Sequence, residues 1–404
     1  MKKNDTEQIR ADNRIDIINT LRVFGPLARV DIGKITRLSP ATVTAITSEL
    51  SDAAIIQEVK GPEAKGGRGR PRVLIDLNPT HASVLGIKLS INEVRLMLGD
   101  LKGNIAHETV VVQKTQRHDQ ASLNEMLVEQ AKRFLDQHPE HAARLVSVGI
   151  AIQGFVDVHK GDVVWSPALN IKNVNLTRAL ENAFECPVEL ANDANSIAYA
   201  IQKHPEYSQC NNFVVIMIGY GVGGGLVVNG SLYSGHFGAA AEFGHTKYSH
   251  EGPQCACGKR GCIEAYVSDY ALYRAAADHL ALPSGDSAHP SEQQMQALTQ
   301  LALKGDPTAQ RIYAEAGRAL GFGIANVLAL FNPDLVLITG SGVRGFDAMQ
   351  AQQEAFLKAM TGGMDAFMPT GAKPEPEAAP KSEGEDLTDI KKQLAELQEK
   401  LAKL

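Results

Sequence analysis

Residues 244–264 read GHTKYSHEGPQCACGKRGCIE. One histidine and three cysteines follow the spacing H-x9-C-x-C-x4-C, placing His245, Cys255, Cys257 and Cys262 within one short loop. One imidazole and three thiolates are the donor set of a closed, tetrahedral structural zinc site, with no position left open for catalysis. Gly258 and Gly261 allow the backbone to fold tightly enough for three sulfurs to converge. His250 is a rival ligand, because it lies nearer to the cysteines. The other cysteines of the five, Cys186 and Cys210, stand alone, so the pattern is not a disulfide framework.

Around this loop the texture from residue 82 onward is that of an α/β protein. SVLGIKLS, EVRLMLGDL, NIAHETVVV, RLVSVGIAIQG, PVELAND, FVVIMIGYGVGGGLVVNG and DLVLITGSG are strand-like runs. Helical patterns at 121–138, 262–280, 293–303 and 307–331 lie between or beside them, which indicates mixed sheets covered by helices. No uninterrupted apolar run reaches the 18 or so residues that cross a bilayer. The opening MKKNDTEQIR leads into no signal-like apolar core. A cytoplasmic protein is expected.

The first 75 residues have a different character. Apolar residues at Ile15, Ile17, Ile18, Leu21 and Val23 predict a helix ending near Gly25-Pro26, and ARVDIGKITRL fits a short second one. SPATVTAITSEL predicts a third, with Ser39 as cap, Pro40 in the first turn and a Val43–Ile46–Leu50 stripe. IIQEV and RVLIDLNP then read as a hairpin around GGRGRPRV, residues 66–73, so the unit is expected to be a winged helix-turn-helix spanning 1–75. The charge distribution agrees. Net charge is −6 over 404 residues, yet residues 1–72 hold 13 Lys/Arg against 9 Asp/Glu, a balance of +4. Ser39, Thr42 and Thr44 are expected to face a major groove from the third helix. Arg68 and Arg70 are expected to reach phosphates or an A·T-rich minor groove, and their Arg-Gly-Arg-Pro core resembles an AT-hook. Operator DNA is the implied partner.

The His/Cys cluster, together with SPALN, ANDAN, IGYGVGGG and AAEFGH, resembles the ROK family (repressors, open reading frames and sugar kinases) over roughly residues 10–345. With the winged head in front, it is similar to that family's repressors of glucose, N-acetylglucosamine and xylose metabolism. The resemblance implies an actin-like pair of α/β lobes at 76–345 with a sugar cleft between them. It implies sugar contacts from Asn170, Asn192, Asp193, Glu242, His245 and Glu264, with His245 also on the zinc. A neutral polyol needs several fixed donors and acceptors of this kind. Asn192 and Asp193 could also cap a helix beginning ANSIAYA, a role that can coexist with sugar contact.

In the family's kinases the residue matching Asp193 is the general base, and the first phosphate loop reads Asp-x-Gly-Gly-Thr. Here that loop is Lys88-Leu89-Ser90-Ile91-Asn92: lysine replaces the acid and both glycines carry side chains. The second loop, residues 219–225, keeps its glycines but has Tyr220 where the kinases favour threonine. The expectation is therefore a sugar-responsive regulator and not an enzyme. A sugar kinase, or a repressor controlled chiefly by a sugar-transport protein, is the alternative. A palindromic operator would call for a homodimer or homotetramer. The chain departs from the family pattern after LVLITGSGVRGF, where a further strand and a closing helix are expected and the ROK lobe reads as incomplete. Residues 346–386 read as a helix followed by a Pro/Glu/Ala-rich disordered linker. Leu387, Ile390, Leu394, Leu397, Leu401 and Leu404 then form a heptad seam that pairs with another helix or lies on the body.

Overall fold

The computed structural model describes residues 3–60, 73–207, 209–235, 241–283 and 289–345. The wing tip with Arg68 and Arg70, and the tail carrying the linker and the leucine seam, lie outside the described residues.

The chain opens with α1 (Lys3–Phe24), α2 (Arg29–Thr36) and α3 (Pro40–Asp52), then the antiparallel pair β1 (Ile56–Lys60) and β2 (Val73–Leu77). Ile17, Leu21, Ile32, Val43, Ile46, Leu50, Ile75 and Leu77 form the core of this unit, and Leu101 of the following domain packs against it. Ser39 caps α3 by accepting from the Thr42 amide at 3.1 Å, and Pro40 occupies the first helical turn, where its missing N–H costs nothing. Leu27 bridges to Ile75, tying the turn before α2 to the wing. The unit is a winged helix-turn-helix. Arg22 donates to the Leu101 carbonyl, and Lys102 pairs with the buried Asp76, which anchors this head to the domain that follows.

The first lobe of that domain is a five-stranded sheet in the order β10-β6-β3-β4-β5. Its strands are β3 (Ser83–Ser90), β4 (Glu93–Asp100), β5 (Ile105–Val112), β6 (Leu145–Ile152) and β10 (Val188–Asn192). The β3–β6 and β6–β10 pairs are parallel and the others antiparallel. α4 (Gln120–Asp136) and α5 (Pro139–Ala142) connect β5 to β6. Between β6 and β10 lie a small sheet, β7 (Phe155–Asp157), β8 (Asp162–Trp165) and β9 (Val174–Asn175), and α6 (Thr177–Phe184). In β3 and β4 every second residue is buried, as expected for strands covered on one face. Leu123, Leu127, Phe134 and Leu180 from α4 and α6 complete that core.

α7 (Asp193–Gln202) follows β10 directly and packs against the second sheet. That sheet runs β13-β12-β11-β14, built from β11 (Phe213–Ile218), β12 (Val222–Val228), β13 (Ser231–Leu232) and β14 (Leu335–Thr339). The six residues of β11 are all buried, as suits a central strand covered on both faces. Four helices accompany this sheet: α8 (Glu264–Val267), α9 (Asp269–Ala277), α10 (Glu292–Leu303) and α11 (Pro307–Phe331). Among the described residues, α11 is long and apolar enough to cross a membrane by length and composition. Its Tyr313, Ala316, Ala319 and Leu320 are nevertheless part of the core of this lobe.

Candidate functional site

One cavity gathers five of the six residues that the sequence assigns to sugar. Asn192, Asp193, Glu242, His245 and Glu264 line it, together with Gln153, Trp165, Pro167 and the turn at Tyr220-Gly221. Asn192 and Asp193 reach it because β10 ends where α7 begins. Asn192 caps α7 by accepting from the Asn195 amide at 3.1 Å and donates to the Gly154 carbonyl at 3.0 Å. Capping and cavity lining therefore coincide in one side chain.

Asp193 is 4% exposed. Its Oδ1 accepts from the Ala194 amide at 2.9 Å, whereas its buried Oδ2 has no partner. Burial pushes this carboxyl above the ordinary aspartate range, and the Lys88 ammonium pulls it partly back. A buried acceptor left unpartnered is costly, and a ligand hydroxyl donating to it would remove that cost. Glu242 shares the cavity. Burial, with the Glu264 and Asp193 carboxylates nearby, pushes its pKa to about 7.

Glu264 joins this cavity to the cysteine cluster. Its Oε2 accepts from the Val222 amide at 3.1 Å, and its Oε1 accepts from Tyr270 at 3.1 Å and from the Cys255 thiol at 3.2 Å. The donor atoms of His245, Cys255, Cys257 and Cys262 all lie within 4.8 Å of one another and can hold a metal ion. His250 is exposed and lies outside that group. Cys257 Sγ to Cys262 Sγ is 3.8 Å, and Cys255 Sγ to His245 Nδ1 is 3.6 Å. A tetrahedral ion with sulfur at about 2.3 Å and nitrogen at about 2.0–2.1 Å has edges of about 3.8 Å and about 3.6 Å. These two separations match such an ion, and the remaining donor pairs lie within 4.8 Å. Burial raises the Cys255 thiol, an effect that a bound cation would reverse. Gly261 is required here: its φ is +70°, and an added Cβ would lie 1.5 Å from the Ser249 carbonyl oxygen.

Several assignments from sequence change in the folded chain. Asn170 does not line the cavity; it is exposed, and its amide donates to the Gln116 carbonyl at 2.8 Å. Pro167 of the SPALN segment and Trp165, directly before it, line it instead. Trp165 is the one tryptophan of the chain, and its place directly before SPALN was the available signal. Gly223, Gly224 and Gly225 belong to strand β12 and not to an open phosphate loop. A Cβ on Gly225 would lie 2.6 Å from both the Ala194 carbonyl oxygen and the Ala198 Cβ, so this glycine allows α7 to lie directly on the sheet.

In the head, Ser39 and Thr44 are exposed and Thr42 is half-buried. Their hydroxyls are already engaged within α3: Ser39 Oγ pairs with Thr42 Oγ1 at 2.8 Å, and Thr44 donates to the Pro40 carbonyl at 2.8 Å. Arg37, which sequence reasoning passed over, is exposed in the turn before α3 with a left-handed φ of +59°.

Comparison with known proteins agrees with this architecture. A xylose repressor from Caldicellulosiruptor bescii is 27% identical over 335 residues, covering 81% of this chain and 82% of the relative. The crystal structure of a ROK family transcriptional regulator, described as a homolog of the E. coli MLC protein, is 30% identical. It has a TM-score of 0.70 and covers 85% of this chain and 87% of its own. A ROK hexokinase from Thermus thermophilus is 27% identical with a TM-score of 0.54, covering 69% of this chain and 89% of its own. Residues 84–368 match the ROK family, so the match continues beyond residue 345, where the sequence pattern had seemed to depart from it. The chain belongs to the ROK family.

Proposed function

We propose that this chain is a sugar-responsive, DNA-binding transcriptional repressor of carbohydrate uptake or catabolism genes. The winged head carries this reading. The transcriptional regulator covers 85% of the chain and the hexokinase 69%, a difference of about the size of the head. In this reading α3 enters the major groove, Arg68 and Arg70 contact the minor groove or phosphates, and two or four copies read a palindromic operator. Zinc on His245, Cys255, Cys257 and Cys262 fixes the loop beneath the cavity. Asn192, Asp193, Glu242, His245 and Glu264 receive the sugar. The sugar alters DNA affinity to the extent that it binds the DNA-competent and DNA-free conformations unequally.

No phosphoryl transfer is assigned to the site. Such transfer needs glycine-rich turns around the phosphates and a metal ion held beside them. Lys88 and Asn92 occupy the place of the acid and the turn, and the glycines of β12 are taken up in strand packing. The test combines two assays. A thermal-shift screen over pentoses, hexoses and amino sugars should identify one stabilising class, and that sugar should change the affinity for duplexes selected from a genomic library. ATP-dependent phosphorylation of the same sugar would overturn the non-enzymatic reading. Capture of a sugar-transport protein, with no response to any sugar, would overturn sugar control.

A further inference from the structure

A second group of metal-binding side chains lies on the first lobe, where β5 faces α5. We propose that His107, Glu140 and His141 form an open site for a divalent metal ion of borderline softness, Zn2+ above all. Their ligand atoms lie within 4.8 Å of one another. Glu140 Oε1 is 3.8 Å from His107 Nε2 and 3.9 Å from His141 Nε2. Both separations exceed a hydrogen bond, so the carboxylate is bonded to neither imidazole. They also exceed by about half an ångström the edge of about 3.3 Å that two N/O donors make around tetrahedral zinc. Glu140 is 58% exposed at its side chain and is free to make that small movement.

The surroundings hold both imidazoles in place. His141, 12% exposed at its side chain, has Nδ1 at 3.0 Å from the hydroxyl of the buried Ser83. With Nδ1–H donating to Ser83, the Nε2 lone pair is directed to the ion, the arrangement by which metal-bound histidines are usually oriented. The His107 ring is stacked on His138 at 3.7 Å and meets the His141 ring edge-on at 5.2 Å. Arg144 is the nearby cation, but it donates to the Glu140 and Thr80 carbonyls. Two nitrogens and one carboxylate favour zinc, nickel or copper over calcium or magnesium. Three protein donors leave at least one position to water. A bound ion would tie the edge strand β5 to the turn that leads into β6.

The experiment is a Zn2+ titration of the full chain followed by desalting and elemental analysis. Wild type should retain two ions, and the surface variants His107→Gln and Glu140→Ala should each retain one. Ser83→Ala, which leaves His141 in place but unoriented, should weaken the second site 10–100-fold. The same ion content in wild type and in both His107→Gln and Glu140→Ala would overturn the proposal, whatever the cysteine cluster holds.

Discussion

Asp193→Asn tests the cavity most directly, because it separates stability from ligand binding. The substitution keeps the side-chain size and the oxygen that accepts from the Ala194 amide, while removing a buried charge whose other oxygen has no partner. An unsatisfied buried group costs about 1–3 kcal/mol. Lys88 recovers part of that cost in wild type and the Asn amide is itself left without an acceptor, so the ligand-free gain comes from removing the charge and should be at most about 1 kcal/mol, or about 2–4 °C in Tm. The pH dependence has a fixed sign. The folded carboxyl titrates above its unfolded value, so the folded chain holds the proton more tightly. Stability from this group is full below the unfolded value of about 3.9 and falls as pH rises through the folded one. The advantage of Asn should therefore be largest at pH 7.5 and shrink toward pH 5. Differential scanning fluorimetry without sugar measures this gain, and the same assay with the stabilising sugar should show the ligand response lost. A variant less stable than wild type at pH 7.5, or one that keeps its full sugar response, would refute Asp193 as the acceptor awaiting a ligand hydroxyl.

Ser39→Ala removes the cap of α3 and should destabilise the head by about 0.5–2 kcal/mol, read as an earlier unfolding transition of the head with sugar binding unchanged. Arg68→Ala combined with Arg70→Ala should weaken operator binding and reduce the slope of log affinity against log salt by about 2; unchanged values would leave the basic stretch as a linker. Gly261→Ala forces a left-handed backbone position onto a side chain that has no room beside Ser249, so bound metal measured by elemental analysis should fall below stoichiometric.

What the sequence made legible follows from how local each signal is. The His/Cys cluster could be read because four ligands within 18 residues must converge whatever the rest of the chain does. The stripe and cap of α3 were equally local, and the folded head keeps both. Asn170 lies off the cavity because its direction depends on Gln116, 54 residues away, whose carbonyl takes up its amide. Strands β7, β8 and β9 escaped notice because runs of three, four and two residues are too short to show alternation. The glycines of β12 resembled a phosphate loop because composition records that a Cβ is missing, not what occupies its place. Here a Cβ would meet α7 at Gly223 and Gly225, and Ala241 and Phe243 at Gly224.

Glu264 links the His/Cys cluster to the cavity. Its two carboxylate oxygens face opposite ways, one to the Val222 amide at the start of β12, the other to Cys255 and Tyr270. His245 stands on both sides of the same divide, lining the cavity and offering Nδ1 to the cluster. A metal that fixes His245 and Cys255 therefore also fixes the wall on which a sugar would rest. Binding sites discriminate hydroxyls by donors and acceptors held within about 0.5 Å, and a metal in this loop would add to that rigidity. In the proposed reading the cluster, with no position open for catalysis once metal is bound, would serve recognition by keeping its neighbours still.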